Sequence, residues 1–504
     1  MSNPIVAIDV GTTGVRSMLF DVKGAVLSRA YMEFESRFPS PSWVEQDAES
    51  WWTATCETLK RMLKDAPCRP SEIAAVSITN QRETVVPVDS HGKPLRNAIV
   101  WQDRRTTAQC EWIRNTVAPE EVYQTTGLTI DPYFTAPKLL WMKENEPDKF
   151  RAAETFLLVH DYIVFRLTGQ RVTDFSNASR TMLFDIRRGD WSDRMLDALD
   201  IPRDKLPAPV ESGTVVGETT PDASRATGLA KGTPVVAGGG DQQCAALGVG
   251  VVRPGSIKAT TGTGTFMLAY SESVRLDPLA RVLCSRHVVP GAFVVEASMF
   301  TTGSALRWFR DQLGAEERMH ADEMGVDPYD VMTEEASAVP AGSEGVLHLP
   351  HFVGAGAPYW NPNSRGAFVG LALGHTRKHL MRAVLEGVAY DLRTNLDVMS
   401  ELVIKGKELR VTGGAARSEV WMQIQADVLG IPVIRTEMEE ATAVGAAILA
   451  CKGVGLFKSV ADAAEGMVRV RPPLVPTSAH REVYDMGFKR YKALYSALSS
   501  LSLS

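Results

Sequence analysis

Cysteine is sparse in this chain, with six residues in 504 (Cys56, Cys68, Cys110, Cys244, Cys284 and Cys451). None forms a CxxC pair or sits beside a histidine set, which excludes a disulfide scaffold and a zinc module and suits a reducing compartment. Clusters of Lys and Arg are missing too. With a formal net charge of −6, nucleic acid and anionic membrane are excluded as main partners, because both require concentrated positive charge. No apolar run is long enough to span a bilayer. The apolar stretch Pro4 to Ile8 is cut short by Asp9, so no secretory leader is read there. A cytoplasmic protein is expected. The pattern GxxxxGK[ST] is absent, which excludes a P-loop enzyme, and so is the protein-kinase signature set.

What remains is an ordinary globular composition in a chain too long for one core, so two or more domains are expected. The informative segments couple glycine to a carboxylate, threonine or amide beside an apolar run. They are Asp9-Val10-Gly11-Thr12-Thr13, Gly238-Gly239-Gly240-Asp241-Gln242-Gln243 and Gly262-Thr263-Gly264-Thr265. Ile5–Ile8 and Arg16–Phe20 read as a hairpin whose tip carries Gly11-Thr12-Thr13. After Val251-Val252-Arg253-Pro254-Gly255, a crossover, the pattern of strand, glycine-threonine turn and strand recurs over Ser256–Ala269. That recurrence has the form of a duplicated fold. Helical spacing predicts helices over Trp51–Leu63, most of Thr135–Gly169, Glu419–Leu429 and Thr442–Leu449, and Ser499–Ser504 reads as a frayed tail.

Glycine lets backbone N–H groups approach phosphate without a Cβ in the way. Thr12, Thr13 and Arg16 could add hydroxyl and guanidinium contacts to a γ-phosphate, and Asp9 at the strand end is placed for magnesium. Gly413-Gly414 after a strand could admit an adenosine moiety at the following helix N-terminus. Each turn alone reads better as plain hairpin or strand-to-helix chemistry; three of them spread over both halves point to a magnesium–nucleotide complex. Asp241, after three glycines, reads either as a helix cap or as the general base for a hydroxyl. Three glycines are more than capping needs, which favours the base and a phosphoryl transfer. Arg82-Glu83 offers adjacent donor and acceptor to vicinal hydroxyls, and Trp101 and Tyr133 could wall the carbon side of a polyol.

Together with Ser77–Thr84, Asn97–Thr106, Gly127–Phe134, Asp174–Phe184, Gly354–Trp360 and Glu440–Ala447, these segments resemble the FGGY carbohydrate kinases over nearly the whole chain. The resemblance implies an α/β fold of two duplicated ribonuclease-H-like domains, of the actin and hexokinase type, with a cleft between them. It implies a substrate lobe with the first phosphate loop over 1–252 and a nucleotide lobe over 253–504. It implies ATP and Mg2+ as cofactors, a small polyol as partner, and a dimer or tetramer. Residue by residue, Arg82, Glu83, Tyr133, Asp241 and Gln242 would hydrogen-bond the acceptor, while Trp101 and Phe266 would flank it. Asp241 would be the base and Asp9 would serve magnesium. Thr12, Thr13, Arg16 and Thr263 would meet the phosphates, with Gly303, Gly414 and Ser418 lining the nucleotide site. The substrate half resembles members that phosphorylate glycerol. The nucleotide half, with Thr412, Arg417-Ser418, Arg307 and Glu296–Phe300, looks more like members that act on xylulose and other sugars. The expectation is therefore transfer of the ATP γ-phosphoryl to glycerol, giving sn-glycerol 3-phosphate. A kinase of xylulose, ribulose or erythritol, and a nucleotide-binding regulator without catalysis, stand as alternatives.

Overall fold

The computed structural model describes residues 3–499, so the expected frayed tail lies, from residue 500 on, outside the described residues. Two six-stranded sheets organise the chain. In the first, Val26–Glu33, Gly14–Phe20 and Ile5–Val10 run antiparallel to one another; Ala75–Asn80 and Pro234–Gly240 then join in parallel, and Val215–Glu218 closes the edge. In the second, Phe293–Met299, Thr265–Ser271 and Ser256–Thr261 repeat the antiparallel triplet. Glu408–Thr412 and Val433–Arg435 repeat the parallel pair, and Leu283–Arg286 adds the opposite edge. The same order of three antiparallel and two parallel strands in both halves is the duplicated ribonuclease-H-like architecture. The register extends the equivalence to residues: Asp9 pairs with Arg16 as Thr260 pairs with Phe266, and each pair brackets a glycine-threonine turn.

The central strand Ile5–Val10 is apolar on both faces apart from Asp9, as expected where helices cover both sides of parallel strands. Helix Ala48–Lys64, capped by Asp47, packs Trp51, Leu59 and Met62 on one face. The other face is covered from the second half of the chain: Ala443, Val444, Ala447 and Ile448 of helix Ala441–Gly453 pack on Ile5, Ala7, Met18 and Val236. Reciprocally, helix Asp241–Gly248 packs Ala245 and Ala246 against Leu268 and Val294 of the second sheet. The two helices touch where neither tolerates a side chain. A Cβ on Gly248 would lie 1.8 Å from the Ala441 carbonyl oxygen, and one on Gly445 would lie 2.0 Å from that of Cys244.

Thr135–Gly169 is largely helical as expected, with one strand, Thr155–Leu158, interposed. Around it Leu139, Phe156, Phe184 and Trp191 build a separate core. The triple glycine is not a loop. Gly238, Gly239 and Gly240 are the last, buried residues of strand Pro234–Gly240. Their lack of side chains is a packing requirement: a Cβ on Gly238 would fall 1.8 Å from the Ile78 carbonyl oxygen, and one on Gly240 would fall 2.6 Å from Arg82 Cδ.

Candidate active site

The two parallel strands Ala75–Asn80 and Pro234–Gly240 end side by side, which brings Arg82-Glu83 and Asp241-Gln242 together although about 160 residues separate them in sequence. The Thr84 N–H donates to the Arg82 carbonyl at 2.8 Å, which folds Glu83 into a three-residue turn at φ +64°. A non-glycine residue held there is strained. Its carbonyl oxygen accepts from Lys138 Nζ at 3.0 Å and Thr135 Oγ1 at 3.2 Å, which holds the turn. The ammonium of Lys138 is fully buried, and burial pushes its pKa down to about 7.

The buried Arg82 guanidinium meets Glu296 at 2.8 and 3.1 Å and Gln243 Oε1 at 3.2 Å. Its Nε lies 3.5 Å from Asp241 Oδ1 and 3.8 Å from Glu83 Oε1. Arg180 Nε donates to Glu83 Oε1 at 2.6 Å. Burial opposes ionisation of Glu296, but Arg180 and Arg82 outweigh it and hold the carboxyl at about 2. Burial pushes the Glu83 carboxyl up, against the pull of Arg82 and Arg180. Glu83 Oε2 and Arg180 Nη1 are buried without a partner. Such atoms require a ligand or water, and an acceptor beside an arginine suits a hydroxyl, which both gives and takes a hydrogen bond. Trp101 stands edge-on to Tyr133, ring centroids 5.6 Å apart, and its Nε1 donates to Thr12 Oγ1 at 3.0 Å. Gln242 Oε1 accepts from Lys258 Nζ at 2.6 Å.

Asp9 lies within the field of Asp241. Burial first, and Asp241 second, push its carboxyl up to about 7, against Arg16. Two carboxylates sharing a poorly solvated corner fit a hard divalent cation that keeps several of its waters. Across the cleft, the Thr263 carbonyl accepts the N–H groups of Thr302 and Ser304 at 3.1 Å each, and Gly303 N–H donates to the Gly262 carbonyl at 3.0 Å. The glycine-threonine turn is thus docked on the N-terminus of helix Gly303–Gln312, and Gly303 is the residue whose missing Cβ allows it, since a Cβ would lie 2.2 Å from the Gly262 oxygen.

Of the expected residues, the structure therefore gathers Asp9, Arg16, Arg82, Glu83, Asp241 and Gln242 around one strand-end cluster, with Thr12, Trp101 and Tyr133 beside it. Thr13 is exposed at the hairpin tip. Phe266 lies on the second sheet, partly buried against the interlobe cluster of Ala245, Ala246 and Val249. Gly413 takes a φ of +93° that favours glycine, whereas Gly414 lies open, and a Cβ there would meet nothing within 4 Å. The Ser418 hydroxyl caps helix Glu419–Leu429 through the Trp421 N–H at 3.2 Å. Asp241 is the first residue of its helix, with Gly240 at the cap. Sequence reasoning gave no role to Lys138, Arg180, Lys258 or Glu296. The available signal was a lone charge inside an otherwise apolar or small-residue strand, as at Lys258 and Glu296.

Two duplicated lobes, carboxylates at strand ends and a glycine-threonine turn on the facing lobe define a two-lobed phosphotransferase of the actin and hexokinase type. Residues 4–248 match the FGGY family of carbohydrate kinases, N-terminal domain, and residues 257–454 match its C-terminal domain. The chain belongs to this family. It is 40% identical over 471 residues to a glycerol kinase of Thermococcus kodakarensis, covering 92% of this chain and 91% of that one. It is 40% identical over 465 residues to glycerol kinase 2 of Thermotoga maritima, covering 90% of each. Among solved structures, the xylulose kinase of Rhodospirillum rubrum superposes with a TM-score of 0.92 at 31% identity, covering 99% of this chain and all of that one. The Plasmodium falciparum glycerol kinase with ADP superposes with a TM-score of 0.88 at 25% identity, covering 100% and 99%. Among the described residues no helix is long and apolar enough to cross a membrane.

Proposed function

We propose that this carbohydrate kinase transfers the γ-phosphoryl group of ATP to a terminal hydroxyl of glycerol, giving sn-glycerol 3-phosphate. The carrying observation is the unpaired, buried Glu83 Oε2 beside Arg82, under the Trp101–Tyr133 wall. A compact donor–acceptor pair against aromatic edges suits a short polyol. Arg82, Glu83, Tyr133 and Gln242 orient its hydroxyls, and Trp101 and Phe266 flank its carbons. Asp241 Oδ1 is occupied by the Gln242 N–H at 2.7 Å and faces Arg82, which leaves Oδ2 to take the proton of the attacking hydroxyl. Asp9 would hold Mg2+, which neutralises developing charge on the phosphates when bound. Thr12, Thr13, Arg16 and Thr263 meet those phosphates, while Gly303, Gly414 and Ser418 line the nucleotide side. In this reading residues 1–252 form the substrate lobe and 253–504 the nucleotide lobe. The protein would work in the cytoplasm, as its scattered thiols suggest, and as a dimer or tetramer, as the family resemblance implies.

ADP release with ATP and magnesium, measured across glycerol, dihydroxyacetone, erythritol, xylulose and ribulose, tests this directly. The expected outcome is a kcat/KM for glycerol far above the others. Preference for a pentulose would transfer the assignment to the sugar-kinase side of the family. No turnover with any acceptor would leave a nucleotide-binding regulator.

A further inference from the structure

Lys258 lies in the middle of strand Ser256–Thr261 and is fully buried. It pairs across the sheet with Leu268, which pairs in turn with Glu296. Cross-strand partners point to the same face. Lys258 and Glu296 therefore project together from the second lobe toward helix Asp241–Gly248, with Phe266 two residues along from Leu268 on that face. Each ends on a residue of the first lobe: Glu296 on Arg82, and Lys258 Nζ on Gln242 Oε1 at 2.6 Å.

An ammonium has three donors and no acceptor, so only the carbonyl oxygen of the Gln242 amide can face it. That settles which end of the amide is which, a choice otherwise open to a flip. Gln242 Nε2 is left on the other side, half-buried next to Asp241, with no acceptor among the described residues. We propose that Lys258, reaching across from the opposite lobe, is a positioning residue that makes Gln242 an obligate hydrogen-bond donor to the acceptor hydroxyl. The inference rests on the kinase reading above. A hydroxyl that accepts from Gln242 Nε2 has its own proton left to give to Asp241, so the amide orientation selects the reactive hydroxyl's direction. With the amide reversed, the hydroxyl would donate to Gln242, and its proton would point away from the base. Burial, partly offset by Asp241 and Glu296, lowers the Lys258 pKa to about 7. The protonated amine, having no lone pair, holds the amide in this orientation; the neutral amine, which can also accept, does not dictate it.

The test is a double-mutant cycle between Lys258→Met and Gln242→Ala in the full chain, with KM and kcat measured for glycerol and ATP separately. Lys258→Met keeps the stem and removes the donor. The expected result is a glycerol KM raised by up to about tenfold, the upper scale of one lost hydrogen bond between neutral groups, with the ATP KM unchanged. Gln242→Ala should reproduce that profile, and the double variant should be no worse than either single change. An unchanged glycerol KM, an ATP KM that rises in step, or fully additive effects would overturn the proposal. Should Lys258→Met not fold, Lys258→Gln, whose amide is too short to reach Gln242, replaces it with the same expected results. Should the wild-type protein prefer a pentulose over glycerol, the glycerol assignment fails by itself. The same cycle run on that sugar then decides the role of Lys258.

Discussion

At the scale of single residues, the site is governed by charges that burial would penalise if they were alone. Arg82, Arg180, Glu83 and Glu296 are each at most 2% exposed, and each has at least one opposite charge within reach. Removing one member would leave an uncompensated buried charge, which costs several kcal/mol, about 3–5 in measured cases. Asp241 differs, being half-exposed at a strand end, so its replacement separates chemistry from folding. Asp241→Asn keeps an oxygen for the Gln242 N–H but cannot take a proton. Its kcat should fall by about 10²–10⁴, the usual contribution of a general base, with the thermal midpoint preserved. A near-normal kcat would reduce Asp241 to the first residue of a helix. The Arg82-Glu83 dipeptide was visible in the sequence as a donor–acceptor pair and Asp241 as a candidate base, while Gln242 entered through the family resemblance. Their unpaired atoms were not, because satisfaction depends on partners far along the chain.

At the scale of elements, small residues let backbones meet where a side chain would not fit. The triple glycine lets three strand residues pass Ile78, Val288 and the Arg82 stem, so it supports the site from behind. Gly248 and Gly445 let helices Asp241–Gly248 and Ala441–Gly453 meet backbone to backbone. Gly445→Ala should therefore push apart the two helices, one of which carries Asp241 and Gln242. We expect a loss of about 1–3 kcal/mol in urea denaturation, the cost of overpacking a close contact, together with a lower kcat. Gly414→Ala makes the contrast, since a Cβ there meets nothing within 4 Å. Its stability should be unchanged while the KM for ATP rises, because the methyl group would stand where the nucleotide is proposed to lie. Equal stabilities for the two variants would remove the distinction.

At the scale of the whole molecule, the halves interlock: each contributes a helix to the other's sheet, and Arg82–Glu296, Gln242–Lys258 and the Arg410 donation to the Val249 carbonyl cross between them. Acid should weaken this assembly through two buried histidines. His287 donates Nε2–H to the Val251 carbonyl at 2.9 Å and accepts the Val288 N–H on Nδ1, which defines the neutral ring. Burial lowers its pKa to about 4, and that of His348 to about 3, from an ordinary 6.5. Between those values the unfolded chain binds more protons than the folded one, so stability rises with pH there and is lost on acidification from about 6.5 toward 4. Thermal midpoints across that range should fall by several degrees, and replacing both His287 and His348 with Gln should flatten the slope. An unchanged slope would assign the acid loss to the carboxylates.

The sequence by itself determined the strands and turns of the duplicated fold, the carboxylates at strand ends and the membership of the family. All of these are written in local periodicity and short motifs, where each residue's neighbours along the chain set its conformation. Only the tertiary structure decided which charges are paired. Glu296 reaches Arg82 across 214 positions, and Lys258 belongs to Gln242 only because the second sheet packs against the helix that carries Gln242. It also decided that Gly238–Gly240 is a strand, since the reason for those glycines is a carbonyl oxygen and an arginine stem that local sequence does not reveal. A side chain's partner is chosen by the packing of distant segments, and no spacing rule within a segment contains that information.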